Sequence, residues 1–400
     1  MSTSRKSVVR VRPPPGVGNN GVINSHCDSD KSLGEGFRIC SWASVPILRF
    51  VLMVTPTHTS GPVNRERFLV QNSCLPTRPL IGSAVALADE GVKPVAAAGY
   101  RKFSFTGKAD GEERRWDAFV WYPSAKEAER YNYRLQIGFV APDSEVAKGS
   151  HPLILFSHGF LGAGDQVIFL MEAFARQGYI VATLNHADSL FQKRTKPIEP
   201  ANFADAKSWT DQKFRSRRED MVALLDHLLE QNGRKESFLF EHLDTKHVGA
   251  CGHSLGGYTV LGLSGAWDSW RDERIQAVLA FSPYSMPFLT QGSIAKINIP
   301  VMIQGGTLDV GITPFQTPIY NALPGPKYLV VLKNETHFGW TNLVSLGRTT
   351  TEVVKDGNAP LITDYSVAFF ERHLRQKSGQ ETELLQQKHP RLDSYRHDEK

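Results

Sequence analysis

The chain has 400 residues, of which 41% are hydrophobic and 22% are charged, and its formal net charge is +5 at pH 7. This composition is ordinary for a globular protein, and the length allows one large domain or two smaller ones. The weak positive charge forms no lysine and arginine stripe with interleaved aromatic residues, so we expect no nucleic-acid binding. Four cysteines without a Cys-x-x-Cys pair or a cysteine–histidine cluster predict neither a disulfide framework nor a metal site.

The first 90 residues differ in character from the rest. They contain frequent proline, glycine and asparagine and show no hydrophobic periodicity. We therefore expect residues 1–90 to be disordered or processed. The segment "RPLIGSAVALADE" ends its short apolar core in an Ala-x-Ala motif, which fits signal peptidase cleavage after Ala88. The distance from the first residue is long for a signal peptide, unless translation begins near Met53. The motif favours export to the periplasm or the medium over a cytoplasmic location, and no apolar stretch is long enough to predict a membrane span.

Regular structure is predicted from about residue 100 onwards. The segments "YRKFSF" and "RRWDAFVWYP", separated by a polar turn, predict a β-hairpin. After them, short apolar runs that stop at glycine or polar residues alternate with stretches of helical periodicity. The predicted strands lie within 151–159, 179–186, 245–254, 275–283, 299–309 and 327–337, and the predicted helices within 165–178, 216–233, 255–265 and 361–376.

This alternation predicts an α/β fold with a mostly parallel central sheet and helices on both faces. The N-terminal hairpin would form an antiparallel edge of that sheet. We assign residues 95–377 to one catalytic domain and expect residues 378–400 to form a charged, solvated tail. Because binding and catalytic sites of such sheets lie at the carboxyl ends of the strands, those ends are where we look for chemistry.

Three strand ends carry Ser254, Asp309 and His337, in that order. Ser254 lies in a Gly-x-Ser-x-Gly motif between an apolar strand and a helix, where a sharp turn would expose it above the sheet. His337 would accept the serine proton, and Asp309 would fix the imidazole tautomer. Glu335 lies in the same loop as His337 and is the rival for the acidic role. The order nucleophile, acid, histidine is that of the α/β-hydrolase catalytic triad.

An oxyanion formed at Ser254 would need two backbone N–H donors. We predict that Leu255 supplies one and that Phe160, in the loop after the strand "LILFS", supplies the other, with Leu161 as the alternative. Leu161, His253 and Trp340 are predicted to contact substrate.

Several other residues near the predicted site have less definite roles. His158 is expected to brace the oxyanion loop, and His186 either lines the pocket or packs in the core. The sequence gives no strong argument for a substrate role of Arg217. The candidates for an acyl pocket are aromatic side chains, namely Phe191, Phe203, Trp209 and Trp267.

The segments "PLILFSHGF", "GHSLGGYT", "IPVMIQGGTLD" and "ETHFGW" together resemble the predicted dienelactone hydrolases and platelet-activating factor acetylhydrolases of the α/β-hydrolase superfamily. The resemblance covers about residues 100–375. It implies a serine esterase without a cofactor, with the three residues named above as its triad and the amides of Phe160 and Leu255 as its oxyanion hole. Bacterial polyester hydrolases and chlorophyllases are more distant relatives with similar nucleophile turns.

Two features depart from these families. Dienelactone hydrolases use a cysteine nucleophile, whereas the turn in this chain carries Ser254. In the acetylhydrolases the acid follows the strand directly after the nucleophile helix, but the corresponding segment "AFSPYSMPF" has no acid. The acid is therefore expected one strand later, at Asp309, which puts phospholipid acetyl specificity in doubt.

We therefore predict a carboxylic ester hydrolase that needs neither cofactor nor metal and forms an acyl-serine intermediate. Short-chain esters, lipid acetyl esters and polyester-type substrates all fit. The alternatives are a peptidase or amidase on the same scaffold and a catalytically silent binding protein with this fold. The sequence leaves the acyl chain, the alcohol and the oligomeric state open.

Overall fold

The computed structural model describes residues 97–109, 111–193 and 197–400. The predicted disorder or processing of residues 1–90, including cleavage after Ala88, lies outside the described residues. None of the described helices is both long enough and apolar enough to cross a bilayer.

One large sheet organises the described residues. Its strands are β1 (Ala97–Ala109), β2 (Glu112–Ser124), β3 (Glu129–Asn132), β4 (Ile137–Pro142), β5 (His151–Ser157), β6 (Ile180–Leu184), β7 (Leu243–His253), β8 (Ile275–Phe281), β9 (Val301–Gly306), β10 (Lys327–Leu332) and β11 (Leu392–Asp398). The helices are α1 (Ile168–Arg176), α2 (Arg215–Asn232), α3 (Leu255–Leu261), α4 (Met286–Thr290), α5 (Thr313–Ala322), α6 (Thr350–Val353) and α7 (Ala359–His373).

The strand order is β11-β10-β9-β8-β7-β5-β6-β2-β1-β4-β3. The six strands from β6 to β10 in this order are parallel, as the βαβ alternation predicts. The predicted hairpin is β1–β2, which joins the sheet through the antiparallel pairing of β2 with β6. The short pair β3–β4 continues beyond the hairpin, so β1 is not the edge strand.

The core lies on both faces of the sheet because successive side chains of a strand point in opposite directions. In β5, Leu153 and Leu155 join the cluster that includes side chains of α2 and α3. Ile154 and Phe156 join the cluster that includes side chains of α1 and α7. Burial on both faces explains why β5 is a continuous apolar run.

The C-terminal residues 378–400 do not form the predicted solvated tail. Their strand β11 pairs antiparallel with β10, and Leu392 is fully buried. Glu399 accepts a hydrogen bond from the Tyr328 hydroxyl at 2.9 Å and forms an ion pair with Arg372 at 3.1 Å. The prediction is wrong because an edge strand is added through backbone hydrogen bonds, which a charged sequence supplies as well as an apolar one.

Candidate active site

Ser254 lies in a tight turn between β7 and α3. Its φ of 57° and ψ of −116° are a strained combination for a residue other than glycine. The two flanking glycines permit the turn: a Cβ at Gly252 would collide with the Gly256 backbone, and a Cβ at Gly256 would collide with the carbonyl of Ser157 in β5. The motif therefore holds Ser254 at the carboxyl end of the sheet, half-buried, at the start of a helix.

The structure brings the three predicted residues together. His337 Nε2 lies 2.9 Å from Ser254 Oγ, and His337 Nδ1 lies 2.8 Å from Asp309 Oδ2. The His337 side chain is 19% exposed, whereas Asp309 is buried. Glu335, the rival acid, instead accepts hydrogen bonds from Asn358 Nδ2 and from the amide that follows it in the chain.

The orientation of the Asp309 carboxylate is set by a serine that the sequence did not single out. Ser282 Oγ donates to Asp309 Oδ2 at 2.5 Å, so one carboxylate oxygen accepts from both Ser282 and His337. Ser282 follows β8 and has a φ of 40°. It belongs to the segment "AFSPYSMPF", so the strand end that lacks an acid supplies a donor to the acid of the next strand.

The predicted substrate contact of His253 is wrong. Its side chain is buried and supports the loop that carries His337. Its Nε2 lies 2.7 Å from the His337 carbonyl oxygen, and its Nδ1 lies 3.1 Å from Gln166 Nε2. These contacts fit a neutral imidazole that donates from Nε2 and accepts at Nδ1. Burial, helped by the adjacent His337, lowers the pKa of His253 to about 3, which keeps it neutral.

The prediction that Trp340 contacts substrate is wrong. Its side chain is 0% exposed, and its indole N–H donates to Gln304 Oε1 at 3.0 Å inside the core. Leu161 remains partly exposed, so its predicted substrate contact stays a prediction. The Leu161 amide already donates to Asp188 Oδ2 at 3.3 Å, which disfavours it as an oxyanion donor.

The amides of Phe160 and Leu255 are the better oxyanion candidates. Neither has a hydrogen-bond acceptor among the described residues. A Cβ built on Gly159 would lie 3.4 Å from Ser254 Cβ, so the loop before Phe160 passes directly beside the nucleophile. Leu255 begins α3, where backbone N–H groups have no partner within the helix.

The predicted acyl-pocket aromatics separate into two groups. Phe203 packs edge-on against Phe160, with ring centroids 5.7 Å apart, and Phe191 is exposed. Trp209 and Trp267 are buried in the core and cannot line an open pocket. Among the four candidates, Phe203 is therefore the one with an aromatic contact to Phe160 of the oxyanion loop.

No group of three or more histidine, cysteine, aspartate or glutamate side chains that could hold a metal ion occurs in the described part of the chain.

The chain is similar to known ester hydrolases. A family described as "PETase: PET hydrolase-like" matches residues 203–386, a range that contains Ser254, Asp309 and His337 but not the oxyanion loop. A solved ferulic acid esterase from Streptomyces cinnamoneus is 19% identical, with a TM-score of 0.51, covering 74% of this chain and 94% of that enzyme. A search of curated protein sequences found no match.

The chain therefore has the α/β-hydrolase fold, as its mostly parallel sheet and the structural likeness to the esterase both indicate. With the PET hydrolase-like match, the comparisons indicate a carboxylic ester hydrolase.

Proposed function

We propose that this protein cleaves carboxylic esters through an acyl-Ser254 intermediate, with His337 as general base and acid and Asp309 as the carboxylate that orients it. The observation that carries the proposal is the unbroken hydrogen-bond chain from Ser254 Oγ through His337 to Asp309. A serine hydroxyl is a weak nucleophile unless a base accepts its proton. The imidazole Nε2 of His337 lies 2.9 Å from Ser254 Oγ, within reach of that proton.

The reaction would proceed in two half-reactions. His337 Nε2 takes the Ser254 proton as Oγ attacks the ester carbonyl, and the resulting oxyanion accepts from the amides of Phe160 and Leu255. His337 then gives the proton to the leaving alcohol. A water molecule, activated by the same imidazole, hydrolyses the acyl-enzyme. Each oxyanion donor is expected to contribute about 3 kcal/mol of transition-state stabilisation.

Apolar side chains around the site support esters of low solubility among the three predicted substrate classes. Leu308 and Val310 flank Asp309 and are 55% and 78% exposed. Leu190 is also exposed, and its amide donates to the Leu161 carbonyl beside the oxyanion loop. Exposed apolar side chains beside the acid and beside the oxyanion loop would be available to contact an apolar substrate. The large apolar side chains exposed in the described residues are Leu135, Leu190, Phe191, Leu308, Val310, Phe315, Leu343, Val344 and Leu346.

Turnover and active-site labelling test the proposed reaction. Wild-type protein should hydrolyse p-nitrophenyl acetate and react with a fluorophosphonate probe, and Ser254→Ala should do neither. Faster cleavage of p-nitroacetanilide than of the ester would favour the amidase alternative. A folded wild-type protein that neither turns over an ester nor takes the label would favour the silent binding protein.

A second assay tests the substrate class. The rate on tributyrin should rise when its concentration passes the solubility limit and droplets form, because the exposed apolar side chains would then meet an apolar surface. A rate that saturates below that limit, with no further increase in the emulsion, would contradict the preference for poorly soluble esters.

A further inference from the structure

Arg217, in the first turn of α2, is fully buried and has all its described contacts near the oxyanion loop. Its Nη1 donates to the carbonyl oxygen of His158 at 2.7 Å, and its Nη2 donates to that of Gly159 at 3.1 Å. The same guanidinium forms a bidentate pair with Asp188, at 3.0 Å to Oδ1 and 2.7 Å to Oδ2. A buried charge is costly unless it is paired and hydrogen-bonded, and these contacts fulfil both conditions.

Asp188 extends the same pair to a third backbone group. Its Oδ2 accepts from the Leu161 amide, so Arg217 and Asp188 together hold two carbonyls and one amide of the loop over residues 158–161. Burial acts to raise the pKa of Asp188, but the adjacent Arg217 outweighs it, so the pKa lies below its usual value and the carboxylate is ionised.

Three hydrogen bonds hold the Gly159 carbonyl oxygen in place. It accepts from Arg217 Nη2, from the amide of Gly162 at 3.0 Å, and from His158 Nδ1 at 2.7 Å. His158 is itself oriented because its Nε2 accepts the His186 amide at 2.9 Å.

The direction of that carbonyl decides where the next amide points. The peptide between Gly159 and Phe160 is trans, so its C=O and N–H point in opposite directions. With the carbonyl drawn towards Arg217, the Phe160 N–H is turned away from Arg217. Of the two amides that follow the Gly159 carbonyl, that of Leu161 is occupied by Asp188, which leaves that of Phe160 as the available donor.

We propose that Arg217, paired with Asp188, is a positioning residue that directs the Phe160 N–H towards the oxyanion formed at Ser254. This inference rests on the proposed ester hydrolysis. Arg217 does not touch the substrate; it acts through the peptide between Gly159 and Phe160. A lysine cannot replace it, because an ammonium lacks the planar set of donors that reaches two carbonyls and a carboxylate together.

The test is Arg217→Lys, with Arg218→Lys as the matched control on the same helix turn. The Arg218 side chain is partly exposed and pairs with Glu219. For Arg217→Lys we expect kcat on p-nitrophenyl acetate to fall about 10- to 100-fold with KM within about twofold, since an oxyanion donor acts on the transition state. Affinity for a trifluoromethyl ketone, which forms a tetrahedral adduct, should fall by the same factor as kcat/KM. Arg218→Lys should match wild type in all three measurements.

A merely structural role gives a different pattern. Arg217→Lys with a lower melting temperature but unchanged kcat and ketone affinity would overturn the inference, as would a rise in KM alone. If Arg217→Lys does not fold, Asp188→Asn carries the test: it keeps the side-chain shape but weakens the pair, so the same fall in kcat and ketone affinity is expected at a smaller size. An inactive, unlabelled wild-type protein would instead overturn the proposed function, and this inference with it.

Discussion

In the described residues, two chains of hydrogen bonds each join a serine, a histidine and an aspartate. The surface relay is the one that starts at Ser254. The buried relay joins Ser157 Oγ to His186 Nε2 at 2.8 Å and His186 Nδ1 to Asp220 Oδ2 at 2.9 Å. The two relays have almost the same donor–acceptor distances, and both begin at the carboxyl end of a parallel strand. Distances alone therefore do not distinguish a catalytic arrangement from a structural one.

Access and electrostatics do distinguish them. The buried relay is closed to solvent, and its serine cannot reach a substrate carbonyl. Burial lowers the pKa of His186 well below its usual value and raises the pKa of Asp220 to about 6, so the interior resists charge on either group. The surface relay has a half-buried serine on a strained turn, and beside it lie two amides with no acceptor in the part of the chain that the structure describes. The comparison teaches that the accessible nucleophile and the free amides, rather than the relay itself, mark the candidate site.

The largest expected difference between the relays is in the response to Asp→Asn. Asp309→Asn should lower kcat on p-nitrophenyl acetate by about 10⁴-fold, because an amide stabilises the wrong imidazole tautomer. Asp220→Asn should leave kcat within about fivefold of wild type and act mainly on the melting temperature. Equal losses of kcat in the two folded variants would break the distinction between the relays.

Acid should destabilise the protein through its buried imidazoles. Burial lowers the pKa of His158, His186 and His253, to about 3 for His253. Below the unfolded-state pKa near 6.5 the unfolded chain binds protons that the folded chain does not, so His253 costs about 2 kcal/mol of stability at pH 5. His158 and His186 act in the same direction. Asp220 acts in the opposite sense, because its raised pKa lets the folded chain bind a proton first as the pH falls.

We therefore expect the melting temperature to fall between pH 7.5 and pH 5, and the fall to be smaller in His186→Gln. Thermal melts across this range measure both. A stability that is flat or rises towards pH 5 would contradict the expectation that the buried imidazoles outweigh Asp220 in this pH range.

Ser282, which donates to Asp309, provides a further test of the surface relay. Ser282→Ala removes a hydrogen bond to the Asp309 carboxylate and should lower kcat by about tenfold, in line with a hydrogen bond to a charged group. Ser285→Ala is the control, since Ser285 is also buried in this segment and its hydroxyl donates to the backbone carbonyl of Pro283 at 3.5 Å. A loss in the control as large as in Ser282→Ala would assign the effect to packing.

The smallest effect on activity is expected for the serine of the buried relay. Ser157→Ala should keep kcat within about threefold of wild type and lower the stability by about 1–2 kcal/mol, because it removes the buried hydrogen bond to His186 and the longer one from Arg217 Nη1 at 3.4 Å. Denaturant titration and steady-state kinetics on the same preparation separate the two quantities. Loss of fluorophosphonate labelling in folded Ser157→Ala would mean that this serine does take part in the chemistry.

The sequence predicted the candidate site best where a reactive side chain directly follows a predicted strand. Ser254, Asp309 and His337 each follow an apolar run, so the topology of a parallel sheet predicts that they meet. The positive φ at Ser254 agrees with the Gly-x-Ser-x-Gly motif, whose glycines permit a sharp turn between strand and helix. The predicted parallel sheet and its hairpin depend on local periodicity, which the sequence carries directly.

The remaining features depend on contacts between distant segments. Arg217 and Asp188 are 29 positions apart, and nothing local in either segment indicates that they meet under the oxyanion loop. Trp340 lies near His337 in sequence, but its indole points into the core towards Gln304. The strand β11 has a charged sequence, and its place in the sheet is set by backbone pairing with β10. Contacts between segments that are distant in sequence leave no local pattern, so they cannot be predicted from a single sequence.

Peptide mapping of the fluorophosphonate adduct tests the central claim most directly. Wild-type protein is labelled, digested and analysed by mass spectrometry to find the modified residue. We predict one adduct, on Ser254, and an unmodified peptide containing Ser157. An adduct on any other serine, or active protein with no adduct on Ser254, would contradict the account.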